Sequence, residues 1–168
     1  MTTEATAIDH QDTTSEFLTF MLGAEEYGVD ILSVEGIQGW NGVTRVPDTP
    51  AYMLGIINLR GAIVPIIDLR LKFELNSAEF NSTTVVVVLR AEVDGREQVL
   101  GAVVDAVSEV YKFDLGSIQT NPEFTNTKVR DVVKGLITVE EKMVIILDID
   151  LLIADRASEL ESIMEAAA

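Results

Sequence analysis

Asn58–Lys72, NLRGAIVPIIDLRLK, decides how the chain is read. Two apolar runs with strand character meet at Leu59-Arg60-Gly61, where a charge and a flexible residue interrupt them. That break marks a turn between strands and exposes an arginine at its tip. The same device recurs on either side. Phe17–Leu22 and Tyr27–Val29 are separated by Gly-Ala-Glu-Glu, Thr83–Leu89 and Gln98–Val104 by a polar segment with Asp94-Gly95, and Val133–Val139 and Met143–Ile149 by Glu140-Glu141-Lys142. Short β-branched runs with turn signals at this density predict an all-β fold, a barrel or a sandwich. Several runs are apolar at successive positions, so both of their faces pack. A single barrel leaves little to cover its outer face, whereas two small barrels packed on each other bury both.

Helix is expected in three places. Asp30–Ile37 has a cap residue and apolar Ile31 and Val34 three apart. Asp68–Phe73 is a second short helix, and from Asp150 onward Leu152, Leu160, Ile163 and Met164 recur at helical spacing. Residues 1–15, polar and rich in threonine, read as a tail, 16–153 as the folded domain, and 154–168 as a terminal helix that frays. The polar start and the fraying end have the look of natural termini. No internal repeat is legible.

Composition narrows the function. With 168 residues and 48% hydrophobic side chains the chain can bury a sizeable core. Twelve basic residues against twenty-eight acidic ones give a net charge of −16, which argues against nucleic acid or an anionic membrane surface as partner. General solubility is the plain meaning of that charge; steering towards a basic patch on a partner is the sharper one. Cysteine is absent, so disulfide and thiolate chemistry are unavailable. The start lacks the pattern of a secretory signal, and runs such as Val85–Leu89 are far too short to span a bilayer, so a soluble cytoplasmic protein is expected.

Catalytic chemistry finds little support. His10, the sole histidine, lies in the polar tail, which argues against a histidine base, a multi-histidine metal site and a Ser/His/Asp triad. Asp148 and Asp150 fit an acid–base pair or a cation site by spacing, but a strand end and helix cap fit them better. Glu25-Glu26 and Glu140-Glu141 read as solvated charges at hairpin tips. Gly95 and Gly101 open no phosphate-cradling pattern. No catalytic residue, cofactor or metal is assigned.

Surface recognition is what these residues leave. Arg60 at a turn can reach a partner's carboxylate or carbonyl, or fix its own turn by an internal ion pair. Trp40 and Val43, in GWNGVTRV, place an aromatic residue near a turn, with core packing as the plainer fate. Phe124 stands alone in the polar loop NPEFTN, an anchor to its own barrel or to another protein.

Three stretches in order, EFLTFMLGAEEYGVDIL from Glu16, NLRG within the opening segment, and GAVVDAVSEV from Gly101, closely resemble the chemotaxis coupling protein family, CheW. The resemblance runs from Glu16 to Ile153. It implies two small five-stranded SH3-like β-barrels packed on each other, and an adaptor that performs no reaction. Its implied partners are the cytoplasmic tips of chemoreceptors and the regulatory domain of the histidine kinase CheA, with other copies of the chain in arrays. By the same resemblance Ile31, Val34, Gly55, Arg60, Val85 and Val107 match receptor-coupling positions along the junction between barrels. Trp40 and Val43 would meet the kinase at one end, and Gln119 and Phe124 at the other, allowing rings of adaptor and kinase domains. The chain departs from the family pattern twice: Gly36 stands where many members have glutamate, and Gln119 where arginine is common. A peptide-binding barrel unrelated to chemotaxis, the matching half of a CheV-type adaptor, a kinase regulatory fragment, and an enzyme using Asp148 and Asp150 are the alternatives.

Overall fold

The computed structural model describes residues 13–75, 78–120 and 127–154. Within them lie ten strands: β1 (Thr14–Leu22), β2 (Glu25–Asp30), β3 (Val34–Gly39), β4 (Met53–Leu59), β5 (Ala62–Asp68), β6 (Val85–Val93), β7 (Arg96–Val104), β8 (Ala106–Asp114), β9 (Val133–Val139) and β10 (Lys142–Leu147). They form two five-stranded sheets, β8-β1-β2-β10-β9 and β3-β6-β7-β5-β4. The first barrel is therefore built from both ends of the chain, and the second is inserted whole between β2 and β8.

Consecutive strands are joined by two-residue turns wherever the sequence signals were sharpest. Leu59 pairs with Ala62, Val93 with Arg96 and Val139 with Lys142. Their central residues, Arg60-Gly61, Asp94-Gly95 and Glu140-Glu141, all have positive φ, which matches the right-handed twist of the flanking strands. In the first hairpin the turn is shorter than its sequence suggests: only Gly23-Ala24 lie between the paired Leu22 and Glu25, and both glutamates belong to β2.

The two barrels are structural repeats that the sequence conceals. Taken in the order β8-β9-β10-β1-β2, the first matches β3-β4-β5-β6-β7 of the second strand for strand. Each has one parallel join, Ile146 opposite Gly28 and Ile66 opposite Gly101. At each join a Cβ on the glycine would press on that isoleucine, tightly at Gly28 and with outright overlap at Gly101. Each barrel is drawn towards closure by one isolated bridge, Gln119 to Leu136 and Thr44 to Ile56. The equivalence lies in backbone joins, which different side chains satisfy equally well.

Successive apolar residues serve two cores. Along β6, Val86 and Val88 point into the interior of the second barrel with Val64, Ile66 and Val103. Val87, Leu89 and Ala91 point the other way, into a much larger cluster shared with Leu18, Phe20, Leu22 and Leu147 of the first barrel. A smaller cluster around Phe17, Phe113, Ile137 and Ile146 fills the first barrel. At roughly 1.5–3 kcal/mol for each fully buried large aliphatic side chain, the shared cluster welds the barrels into one unit.

Short helices turn the corners. Helix α1 (Leu69–Lys72) is capped by Asp68, whose carboxylate accepts the Arg70 N–H at 2.9 Å. Helix α2 (Thr127–Arg130) precedes β9, and α3 (Ile149–Ala154) follows β10 and packs on β6 of the other barrel. Asp148 accepts the Leu151 N–H at 3.1 Å and so caps α3, while Asp150 is exposed in its first turn. Of the expected C-terminal pattern, Leu152 is buried, while Leu160, Ile163 and Met164 fall outside the described residues, as does His10.

One expected helix is overturned. Asp30 does cap, accepting the Leu32 N–H at 2.9 Å, but only a single 3-10 turn, Ile31–Ser33, follows. Val34–Gly39 is β3, paired antiparallel with β6 from Val34 opposite Leu89 to Gly39 opposite Val85. The apolar spacing of Ile31 and Val34 mimics a helix, but β-branched Val34 and Ile37 suit a strand, and the edge of β6 offers ladder partners.

Candidate functional site

Among the described residues no group of three or more His, Cys, Asp or Glu side chains is placed to hold a metal ion. No helix there is long and apolar enough to cross a membrane. The features that stand out are two surfaces and one buried ion cluster.

Four of the six residues matched to receptor coupling pack on the same core. Ile31, Val34, Val85 and Val107 are half-buried and pack against the shared core from its rim, so they line the junction between barrels. Arg60 lies apart from them. It is exposed at the β4–β5 tip and, with Gly36, Ile37, Gln38, Leu59 and Val99, lines a groove of about 440 Å³ beside β3. The turn under Arg60 is held by Asn58, whose amide oxygen accepts the Gly61 N–H at 2.9 Å. β3 links the two features, with Val34 on the junction and Gly36 to Gln38 on the groove. Glu35, also at the groove, sits 3.7 Å from Arg90. Gly55 is buried under the Thr44 carbonyl, where any Cβ would collide with it. It shapes the barrel and offers no side chain to a partner.

The second surface also belongs to the second barrel. Trp40 and Val43 are half-buried against that barrel's own core. The Trp40 ring stacks on Phe80, centroids 4.6 Å apart and planes inclined at 25°. Thr44, one residue beyond Val43, makes the closing bridge to Ile56. Gln119, exposed, makes the equivalent bridge to Leu136 in the first barrel. Gln119 thus sits at the seam that corresponds to Thr44, the neighbour of Val43. Phe124 lies outside the described residues.

Sequence reasoning missed the ion cluster. Arg70 is fully buried, and its Nε and Nη2 donate to the two oxygens of Asp68, each at 2.9 Å. Its Nη1 donates to Asp105 Oδ1 at 2.7 Å and to the Glu79 carbonyl. Asp105 in turn accepts the Gly23 N–H at 2.6 Å, and its own N–H donates to the Met21 carbonyl at 3.0 Å. The cluster therefore ties α1 of the second barrel to the first hairpin of the other. Burial alone would lower the Arg70 pKa, but hydrogen bonds to Asp68 and Asp105 outweigh it and push it above its ordinary value. The available signal was an Asp-x-Arg in an apolar run and an Asp closing the Val-Val-Asp run.

Two tyrosines in the first barrel resist ionisation. Burial, with help from Glu25, pushes Tyr27 up to about 12. A hydrogen bond to Glu109, then burial and the charges of Glu109, Glu26 and Glu140, push Tyr111 to about 12. Glu26 keeps one buried carboxylate oxygen without a hydrogen-bond partner, so the two glutamates of that hairpin are not equally solvated.

A welded pair of barrels with an apolar junction, an arginine-flanked groove and an aromatic end defines a class, the two-barrel binding domain. Comparison with known proteins makes this specific. A family model described as the CheW-like domain matches residues 16–157, and the chain belongs to that family. It is 43% identical over 145 residues to the chemotaxis protein CheW of Klebsiella aerogenes, covering 86% of this chain and 85% of that protein. A probable chemotaxis protein CheW of Rhizobium etli is 35% identical over 144 residues, covering 86% and 90% respectively. Among solved structures, the scaffolding protein CheW of Thermoanaerobacter tengcongensis superposes with a TM-score of 0.70 at 34% identity, covering 80% of this chain and 88% of that one. The expected two-barrel, mainly β architecture and the family both stand.

Proposed function

We propose that this protein is a non-catalytic cytoplasmic adaptor of bacterial chemotaxis, coupling chemoreceptor tips to the regulatory domain of the histidine kinase CheA and recruited with them into arrays. The observation that carries the reading is the junction, where Ile31, Val34, Val85 and Val107 present apolar surface that the barrels themselves only half cover. A receptor's helical hairpin laid along it buries that surface without opening either barrel. Arg60, exposed with its turn already fixed by Asn58, is available to a carboxylate or carbonyl of the same partner. The kinase is assigned to the Trp40 and Val43 end. A second kinase contact at Gln119 and Phe124 draws support from the correspondence of Gln119 with Thr44, because an adaptor with two like ends can join two kinase domains into a ring.

Titration of the full chain with a receptor-tip fragment and, separately, with the kinase regulatory domain tests this. Val34→Asp should abolish receptor binding and spare the kinase, and Trp40→Ala should do the reverse, with melting curves confirming that both variants fold. Preference for an extended peptide over the helical hairpin would instead favour an unrelated peptide-binding barrel.

A further inference from the structure

The ion cluster continues into the aromatic end. Phe80 lies in the irregular segment between α1 and β6, still 45% exposed. Exposed aromatic rings on such segments ordinarily move, yet this one is held from three sides. Arg70 Nη1 donates to the carbonyl of the preceding residue, Glu79. The Arg70 guanidinium carbon sits 4.9 Å from the Phe80 ring centroid, within cation–π range, and Trp40 stacks on the same ring. Three residues on, the Thr83 hydroxyl donates to the Asp105 carbonyl at 2.8 Å, so the segment is pinned to the cluster at both ends.

We propose that Phe80 belongs to the same partner-binding surface as Trp40, and that Arg70 is the positioning residue that holds it in place from within. This rests on the reading that the Trp40 end meets the kinase regulatory domain. A ring fixed before binding loses little freedom when a partner covers it, the condition under which a half-exposed aromatic contributes most to affinity. Arg70 is itself fully buried and cannot touch the partner. With one cation already beside the ring, a second is disfavoured, so the group that fits from the partner is an uncharged, apolar side chain.

The test measures affinity of the full chain for the kinase regulatory domain, with receptor-tip binding as control and the fluorescence of Trp40, the single tryptophan, as a local probe. Phe80→Ala should weaken kinase binding roughly tenfold to thirtyfold, the range of an interface anchor, while receptor binding stays the same. Phe80→Tyr should restore it to within about twofold, because stacking is kept. Arg70→Lys keeps the charge but loses the planar fork, and should shift Trp40 emission and weaken kinase binding. Wild-type affinity in Phe80→Ala, with Trp40→Ala still impaired, would overturn the proposal and leave the kinase surface intact. Wild-type affinity in Trp40→Ala would sink both. Should Arg70→Lys not fold, the exposed Phe80 variants decide the ring's role, and Trp40 emission in Asp105→Asn decides the positioning: a shift supports it and none refutes it.

Discussion

Removing the Arg70 guanidinium should unsettle the fold more than any other single change at the junction. Arg70 and Asp68 are both 0% exposed, and the arginine donates Nε and Nη2 to that carboxylate. In Arg70→Met much of the volume survives, but Asp68 keeps only the backbone N–H of residue 70 as partner, and Asp105, 31% exposed, loses its cation. Stranding a buried charge in this way costs about 3–5 kcal/mol. For a chain of this size, with Tm falling roughly 2–4 °C per kcal/mol, the expected drop is about 6–20 °C. Urea and thermal melts followed by two probes measure it. The double variant Asp68→Asn/Arg70→Met should recover a large part of the loss, since no full charge is then left buried at that site. If Arg70→Met lies within about 1 kcal/mol of wild type, the cluster is not the clasp described above.

Other expectations are as specific. Gly55→Ala and Gly135→Ala should each cost roughly 1–3 kcal/mol, because a Cβ would strike the Thr44 or Gln119 carbonyl and loosen equivalent bridges, with Gly55 the costlier because its φ of 152° also strains an alanine; a melt within about 0.5 kcal/mol of wild type for either would refute the close approach. Gly36→Glu should leave folding stability within about 0.5 kcal/mol of wild type, its Cβ meeting nothing within 4 Å, and should strengthen receptor-tip binding at low salt by about 0.2–1 kcal/mol; weakened binding would make the bare backbone part of the fit. Tyr27 has a folded pKa of about 12 against about 10 unfolded, so the fold holds its proton more tightly. Its contribution is complete below pH about 10 and is lost as pH rises towards about 12, so Tyr27→Phe should flatten part of the alkaline limb of the stability profile; an unchanged limb would assign the loss elsewhere.

The hairpins were legible because a two-residue turn demands residues that tolerate positive φ, and Arg60-Gly61 and Asp94-Gly95 announce it locally. Packing on both faces was legible from Val85–Leu89, which never alternates. What lay beyond the sequence depends on distant partners. β3 takes its conformation from β6, so the local spacing of Ile31 and Val34 misled. Arg70 and Asp105, thirty-five residues apart, meet only because β5 pairs in parallel with β7 and sets Asp68 opposite Val103. Phe80 gains its meaning from Trp40 and Arg70 alone. At the site, Ile31, Val34, Val85 and Val107 lie half-buried against a core assembled from both barrels, which no local pattern announces, and Gly55 is buried under the Thr44 carbonyl.

Simultaneous binding tests the central claim most directly. The full chain, the kinase regulatory domain and a receptor-tip fragment, mixed and weighed by sedimentation at equilibrium, should give one species holding all three, with the receptor tip retained on the kinase domain only when the chain is present. Displacement of one partner by the other, or equal retention of the receptor tip without the chain, would contradict an adaptor that joins them.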